Sequence, residues 1–375
     1  MPRPTHAEVR LSAIQGNLRA LRALVGPGVK VLGVVKADAY GHGAVPVARA
    51  LQEAGVDWLG VALVAEGVEL RQAGLRRPIL VMGTAFEDDV PDIMRHNLTP
   101  TIDDPDAARR IGCLVKDGRL VCHLKVDTGM NRLGMRAEEA VRRAREVASL
   151  DGLSIEAVYT HFACAECAAD PSVPEQLRRF EAALLALRSA GLAVTMVHAA
   201  NSSAILGLPA SHYGMVRPGL ALYGVDPRGP GAGGPALEPA LALRTRIAHV
   251  KRVPKGEGVS YGHTWRAPRD SVVGVLPIGY GDGYPRSLSN RGQVRVAGRL
   301  CPVVGAVCMD ATMVDLTGLV DSAGVSLRTL LGLETALIEA DNASPLSAFA
   351  VAHAAGTIAY ELLTGLSRRV PRVYT

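Results

Sequence analysis

No stretch of this 375-residue sequence is apolar for long enough to span a bilayer, which argues against a membrane-spanning helix. The opening residues, Met1-Pro2-Arg3-Pro4-Thr5-His6, lack the apolar segment of a secretory signal. The expected compartment is the cytoplasm, where the six cysteines would stay reduced. Charge of one sign is also in short supply. The formal net charge is only +5, and basic residues fall as scattered pairs: Arg76-Arg77, Arg109-Arg110, Arg142-Arg143 and Arg178-Arg179. These pairs lie in stretches that read as helices, so they are expected to be solvated helix faces and not a nucleic-acid footprint. A metal framework is missing too. Cys164-Ala165-Glu166-Cys167 is a C-x-x-C, but a structural zinc site needs a second pair, and Cys301 and Cys308 are too loosely spaced to form one. Two ordinary loop cysteines and no metal are expected.

What is present is ample core-forming material. Apolar residues make up 48% of the chain, enough for two domains with separate cores. Short apolar runs alternate with amphipathic segments through the first two-thirds. The runs are Val31–Lys36, Trp58–Leu63, Pro78–Gly83, Leu98–Ile102, Leu120–Val126, Ile155–Phe162, Val194–Ala200 and Met215–Leu222. Helical patterns lie between them, including Ala44–Ala54, Ala137–Leu150 and Pro174–Ala190. Continuous apolar strands alternating with helices imply parallel strands buried on both faces. Eight such units predict a (β/α)8 barrel, an α/β fold. An open doubly wound sheet fits less well, because no G-x-G-x-x-G follows the first strand. Composition shifts to Gly and Pro at Asp226–Pro239, a linker signal. Strand-like runs follow at Leu241–Val253, Ser271–Gly279, Gln293–Val296, Pro302–Leu316 and Leu330–Ile338, then a helical stretch, Ser347–Thr364. The expected division is a barrel over 1–235 and a mostly β domain over 236–375, with about the first ten residues able to join the second domain.

Chemistry in a barrel gathers where strands end and βα-loops begin. There the sequence places Lys36, then Lys125 and Arg132, His161, Ser202, and Arg217 with Gly219. Each alone is unremarkable: a strand-end lysine is usually solvated and a strand histidine usually a satisfied core residue. Their shared position at strand C-termini is what suggests a site. Tyrosine adds to this. It recurs beside glycine at Tyr40-Gly41, Tyr223-Gly224, Tyr261-Gly262, Tyr280-Gly281 and Gly283-Tyr284. Turn chemistry with a packed ring explains such pairs as well as phenols presented for catalysis do.

Val34-Val35-Lys36-Ala37-Asp38-Ala39-Tyr40-Gly41-His42-Gly43 resembles the cofactor-lysine signature of alanine racemases. The resemblance continues through His123–Gly134, Thr160–Ala163, His198–Ser203, Met215–Gly224, Val259–Gly262, Pro277–Pro285, Cys308–Asp310, Gly356–Glu361 and Arg369–Arg372, in the family's order. It implies a barrel plus β domain in a homodimer with active sites shared between chains. It implies pyridoxal 5'-phosphate held on Lys36 as an internal aldimine. Tyr40, Ser202, Tyr360 and the backbone near Gly219 would hold the phosphate, and Arg217 would face the ring nitrogen with His161 beside it. Arg132 would contact substrate and cofactor, and Lys125 resembles a lysine often carbamylated in the family. Tyr261 and Met309 would come from the partner subunit. Tyr280, Glu166 and Arg286 would line the entrance. Four positions depart from the family pattern: His6, Arg10, Glu166 and Ala306. Ala306 stands where an arginine is common, which leaves open how charge near Met309 and Asp310 is balanced.

The implied activity is interconversion of L- and D-alanine. A proton must leave one face of the α-carbon and return to the other, so two bases are needed. Lys36 would serve one face once substrate has displaced it, and Tyr261 the other. A free phenol titrates near ~10, so the second role needs neighbouring positive charge or donors, for which His161 and Arg217 are the candidates. Racemases for serine, lysine or a broader set of amino acids are alternatives, as is a non-catalytic cofactor carrier. A carrier of that kind would lack the β domain and with it Tyr261 and Met309. A related decarboxylase would place an acidic group, not Arg217, against the ring nitrogen.

Overall fold

The computed structural model describes residues 3–116, 118–167, 169–323 and 326–375. Eight parallel strands close into a barrel: Lys30–Val34, Trp58–Val61, Ile79–Thr84, Thr99–Ile102, Leu120–Asp127, Leu153–Tyr159, Met196–His198 and Met215–Val216. The last pairs in parallel with the first, Met215 opposite Lys30, which completes the ring. Each strand falls within, or within two residues of, one of the apolar runs. Helices return the chain outside. Ser172–Ser189 buries Val173, Gln176, Phe180, Ala183, Leu184 and Leu187, one stripe at helical period. Gln176 is a polar member of that stripe, and it acts at the site described below. The paired arginines on helices are tied to local acids, Arg142 to Glu139 and Glu146 at 2.7 Å each and Arg178 to Glu175 at 2.8 Å. Arg76 and Arg77 sit instead in the loop after a helix.

The sixth barrel strand carries a bulge. Cys122 pairs with Ile155 but His123 pairs with Ala157, so Glu156 has no opposite number. Such an extra residue re-aims its side chain.

Residues 226–239 form no helix or strand. Beyond them, the run expected at Leu241–Val253 divides into Leu241–Arg246 and His249–Val253, which belong to different sheets. The reason is local: Ile247 N–H donates to Leu333 C=O, next to a strand of one sheet, and Ala248 N–H to Val275 C=O in the other, so the chain crosses over between them. The larger sheet runs in the order Arg299–Pro302, Gln293–Val296, Glu334–Ile338, Leu241–Arg246, His6–Val9, Arg372–Tyr374. The smaller contains His249–Val253, Ser271–Leu276 and Thr312–Asp315. The helical stretch near the end is two helices, Ala348–Ala355 and Ala359–Thr364, because Gly356 turns left-handed (φ 75°) and stops the first. One large hydrophobic core spans the barrel and the six-stranded sheet. A second, small core of Val253, Val259, Ala267, Val273, Val304 and Met313 lies under the three-stranded sheet.

Candidate active site

The first barrel strand ends at Val34, and Lys36 opens a short turn of unusual hand. Ala37, Asp38, Ala39 and Tyr40 all have φ between 51° and 54°. For L-residues that costs on the order of 1–2 kcal/mol each. Fixed partners hold it in place. Glu66 accepts the Ala37 N–H at 2.6 Å, the Asp38 carboxylate accepts Ala44 N–H at 2.7 Å, and Asp38 C=O accepts Gly43 N–H at 2.9 Å. The turn sends Lys36 and Tyr40 into one cavity of about 620 Å³ at the C-terminal mouth of the barrel.

That cavity also gathers Lys125, Arg132, His161, Glu166, Ser202, Arg217, Gly219 and Tyr360, from four further strand ends and the second domain. At one end lie three hydroxyls. Ser202 Oγ accepts the Gly219 and Ala221 N–H groups at 2.9 and 3.2 Å, so its own proton is free to donate outward. The Tyr40 and Tyr360 rings stand 5.9 Å apart. Burial pushes both phenols up, Tyr360 to about 12, so both remain donors. Gly219 is required here: a Cβ would lie 2.4 Å from the Tyr40 hydroxyl.

In the same cavity Arg217 is almost wholly buried. It donates to Thr160 C=O at 2.8 Å, Ala199 C=O at 2.9 Å and His198 Nδ1 at 2.9 Å, with His161 Nδ1 at 3.3 Å. Burial lowers it to about 10, which leaves it cationic near neutrality. His161 is pushed well below the usual histidine range by burial and then by Arg217. It is therefore neutral and supplies no positive charge; what it offers a neighbour is a hydrogen bond. Gln176 fixes the His161–Ala163 segment, donating to His161 C=O at 3.1 Å and accepting from Ala163 N–H at 2.9 Å. Burial, followed by Arg132, lowers Lys36. Burial, then Arg132 and Arg217, lowers Lys125 to about 8.

Tyr261, Met309, Tyr280 and Arg286 do not line this cavity. Tyr261 is 75% exposed and Met309 52%. They share a surface of the second domain nonetheless. Ser260 Oγ donates to Ala306 C=O at 2.7 Å, Gly281 N–H donates to Met309 C=O at 2.9 Å, and Val307 N–H donates to Ser289 Oγ at 2.9 Å. The four loops bearing those residues are thereby tied together. Ala306 leaves no charge defect, because Arg369 reaches Asp310 at 2.5 Å and Asp282 at 3.3 Å. Arg10 likewise finds a partner in Glu238. All six cysteines are free, and no metal-binding cluster occurs among the described residues. No helix there is long and apolar enough to cross a membrane.

Residues 9–227 match the family model described as alanine racemase, N-terminal domain, and residues 240–374 that of the C-terminal domain. The chain is 43% identical to an alanine racemase of Symbiobacterium thermophilum, over 99% of this chain and 97% of the relative. Among solved structures it is similar to the alanine racemase of Clostridium difficile, with TM-score 0.90, 34% identity and coverage of 100% and 96%. It is also similar to that of Bartonella henselae, described with covalently bound pyridoxal phosphate (TM-score 0.89, 28% identity, 100% of both chains). With both domains matched and the fold shared end to end, the chain belongs to the alanine racemase family.

Proposed function

We propose that this protein interconverts L- and D-alanine with pyridoxal 5'-phosphate, as a homodimer. The observation that carries the reading is one cavity that brings Lys36 together with a triad of hydroxyl donors and an arginine that has no carboxylate partner. The residues fit the cofactor. A phosphate has only acceptor atoms, and Tyr40, Ser202 and Tyr360 are donors there. The lowered Lys36 amine is neutral more often than a solvated lysine and so can form the covalent attachment. Arg217 would face the ring nitrogen. It is donor-only and keeps its proton, so the nitrogen would stay unprotonated.

When bound, the cofactor supplies an electron sink for the α-carbon of an attached amino acid. The protein's own groups do the rest. The Lys36 amine would remove or return the proton on one face. Tyr261 from a second copy would serve the opposite face, with Arg217 supplying positive charge and His161 a hydrogen bond. Its exposure, and that of Met309 beside it, suits groups presented to a partner. Arg132, at the mouth, would hold the substrate carboxylate, and Tyr280, Glu166 and Arg286 would border the entrance. Lys125, with its lowered amine between two arginines, is suited to carbamylation, which would turn a buried cation into an anion for Arg132.

The test is to follow the optical rotation of L-alanine and D-alanine separately with purified, cofactor-loaded protein, alongside L-serine and L-lysine. Rotation should decay to zero from both alanine enantiomers. Constant rotation of both would overturn the assignment, and faster decay with serine or lysine would overturn the choice of alanine.

A further inference from the structure

Arg217 poses a physical problem. It is a buried cation whose hydrogen-bond partners are two imidazoles and two carbonyls, with no carboxylate among them. A buried charge without a counter-charge is costly. Following its bonds through the barrel finds one. Arg217 Nη1 can only donate, so His198 Nδ1 must accept, at 2.9 Å. A neutral His198 then carries its proton on Nε2 and donates it to His123 Nδ1 at 3.1 Å. His123 in turn donates from Nε2 to Glu156 Oε2 at 3.2 Å. Burial keeps both histidines neutral, as both are pushed below their usual range and have no exposed surface. Their rings are fixed as well: Tyr159 stacks on His198 at 4.6 Å and Trp58 packs on His123 at 5.1 Å. Glu156 is the unopposed residue of the strand bulge, which is what allows a residue of that strand to reach His123.

We propose that Glu156, His123 and His198 are positioning residues for Arg217, with the Glu156 carboxylate acting as its remote counter-charge through two imidazoles of fixed tautomer. The inference rests on the reading of Arg217 as the group facing the cofactor ring. The chain of donors runs one way, from guanidinium to carboxylate, so every proton on it has one place. A negative charge at the far end makes His198 Nδ1 a stronger acceptor and holds the proton on Arg217. Without that charge Arg217 would donate more fully to the ring nitrogen. The ring would then withdraw electrons more strongly, and protonation at the wrong carbon, which yields pyruvate and an aminated cofactor, would compete with racemisation.

Two measurements on the holoenzyme test this. In wild-type protein labelled with 15N-histidine, His123 and His198 should both carry hydrogen on Nε2 and none on Nδ1. A proton on Nδ1 of either, or a charged ring, would overturn the relay. Glu156→Gln keeps the shape and an acceptor oxygen but removes the charge. It should shift the His198 resonances, lower kcat about tenfold with KM for alanine little moved, and raise the pyruvate formed per racemisation. Glu156→Leu should do the same more strongly; if it fails to fold, Glu156→Gln decides alone. Activity lost with the His198 resonances and the pyruvate ratio unmoved is a structural loss and would overturn the proposal. The reading of the protein as a racemase fails separately: if the wild type leaves alanine unracemised, the histidine resonances still decide the relay.

Discussion

The mouth of the barrel and the loop surface of the second domain carry opposite kinds of proposed functional residue. At the mouth, Lys36, Lys125 and Arg217 are sunk into protein and lowered first by burial, with Arg132 adding to the effect on both lysines. On the second domain, Tyr261 and Met309 stand in solvent on loops tied together by backbone and serine hydroxyl bonds over a small separate core. The first region is complete in its electrostatics within one chain. The second is cross-braced but exposed. The contrast teaches that pre-organisation does not require burial: a loop pinned at several points can hold an exposed group in place, as the proposed dimer would need.

The sharpest way to break this contrast is at its buried pole. Lys36→Ala removes both the attachment and one base, and should lower racemisation by more than about ten-thousandfold and abolish the visible absorption of the bound cofactor. A variant that kept that absorption would show the lysine is not the anchor. At the exposed pole, Tyr261→Phe should cost about a hundred- to a thousandfold while leaving cofactor absorption intact. Its solvent-deuterium exchange should be slowed much more from L-alanine than from D-alanine. Equal small losses would remove Tyr261 from the chemistry. The two variants together test whether the poles meet across chains. After random exchange, half of the sites in mixed dimers hold an intact Lys36 and an intact Tyr261, so about one quarter of wild-type activity should return. Confirmed exchange with no recovery would place both groups in one chain.

Acid should separate the regions next. His42, His123 and His198 have no exposed surface and all lie in the barrel, whereas His249, His263 and His353 of the second domain are exposed. Burial lowers His42 to about 4. A histidine whose folded value is depressed takes up its proton more readily when unfolded. Its contribution to stability is therefore present above about pH 6.5 and lost as pH falls from there towards about 4, by about 3 kcal/mol for His42 alone. Hydrogen exchange at pH 5 should show the barrel opening before the second domain; the reverse order would place the acid-sensitive groups elsewhere. The smallest effect should come from Gly219→Ala. Its Cβ would strike the Tyr40 hydroxyl and displace a single phosphate donor, which should weaken cofactor binding about tenfold by equilibrium titration. Unchanged affinity would show that Tyr40 does not touch the phosphate.

Much of this was legible in the sequence. The eight barrel strands fall where continuous apolar runs alternate with helical patterns, because strands buried on both faces admit few other residues. The residues at strand ends were legible too, since a parallel barrel collects them on one face whatever the loops do. Other features left no pattern. Gln176 occupies a core position that periodicity assigns to an apolar side chain, and its role appears only when the helix is seen against His161. Glu66 supports the left-handed turn from another helix, and no spacing links it to Ala37. Glu156 depends on a bulge, a one-residue slip between strands more than thirty residues apart in sequence. The division of 241–253 between two sheets was hidden for a similar reason: both halves are good strands, and only their partners differ.

The strand His6–Val9 lies between Leu241–Arg246, to which it runs antiparallel, and Arg372–Tyr374, to which it runs parallel. Both neighbours are translated more than two hundred residues later. At ordinary rates of synthesis the early strand waits on the order of tens of seconds for the first of them. All eight barrel strands are made before Leu241–Arg246, so the barrel can close before the six-stranded sheet does. During that interval an unpaired edge is displayed, open to whatever extended peptide meets it. The dependence of this domain on chaperones during synthesis should therefore track the speed of its own translation.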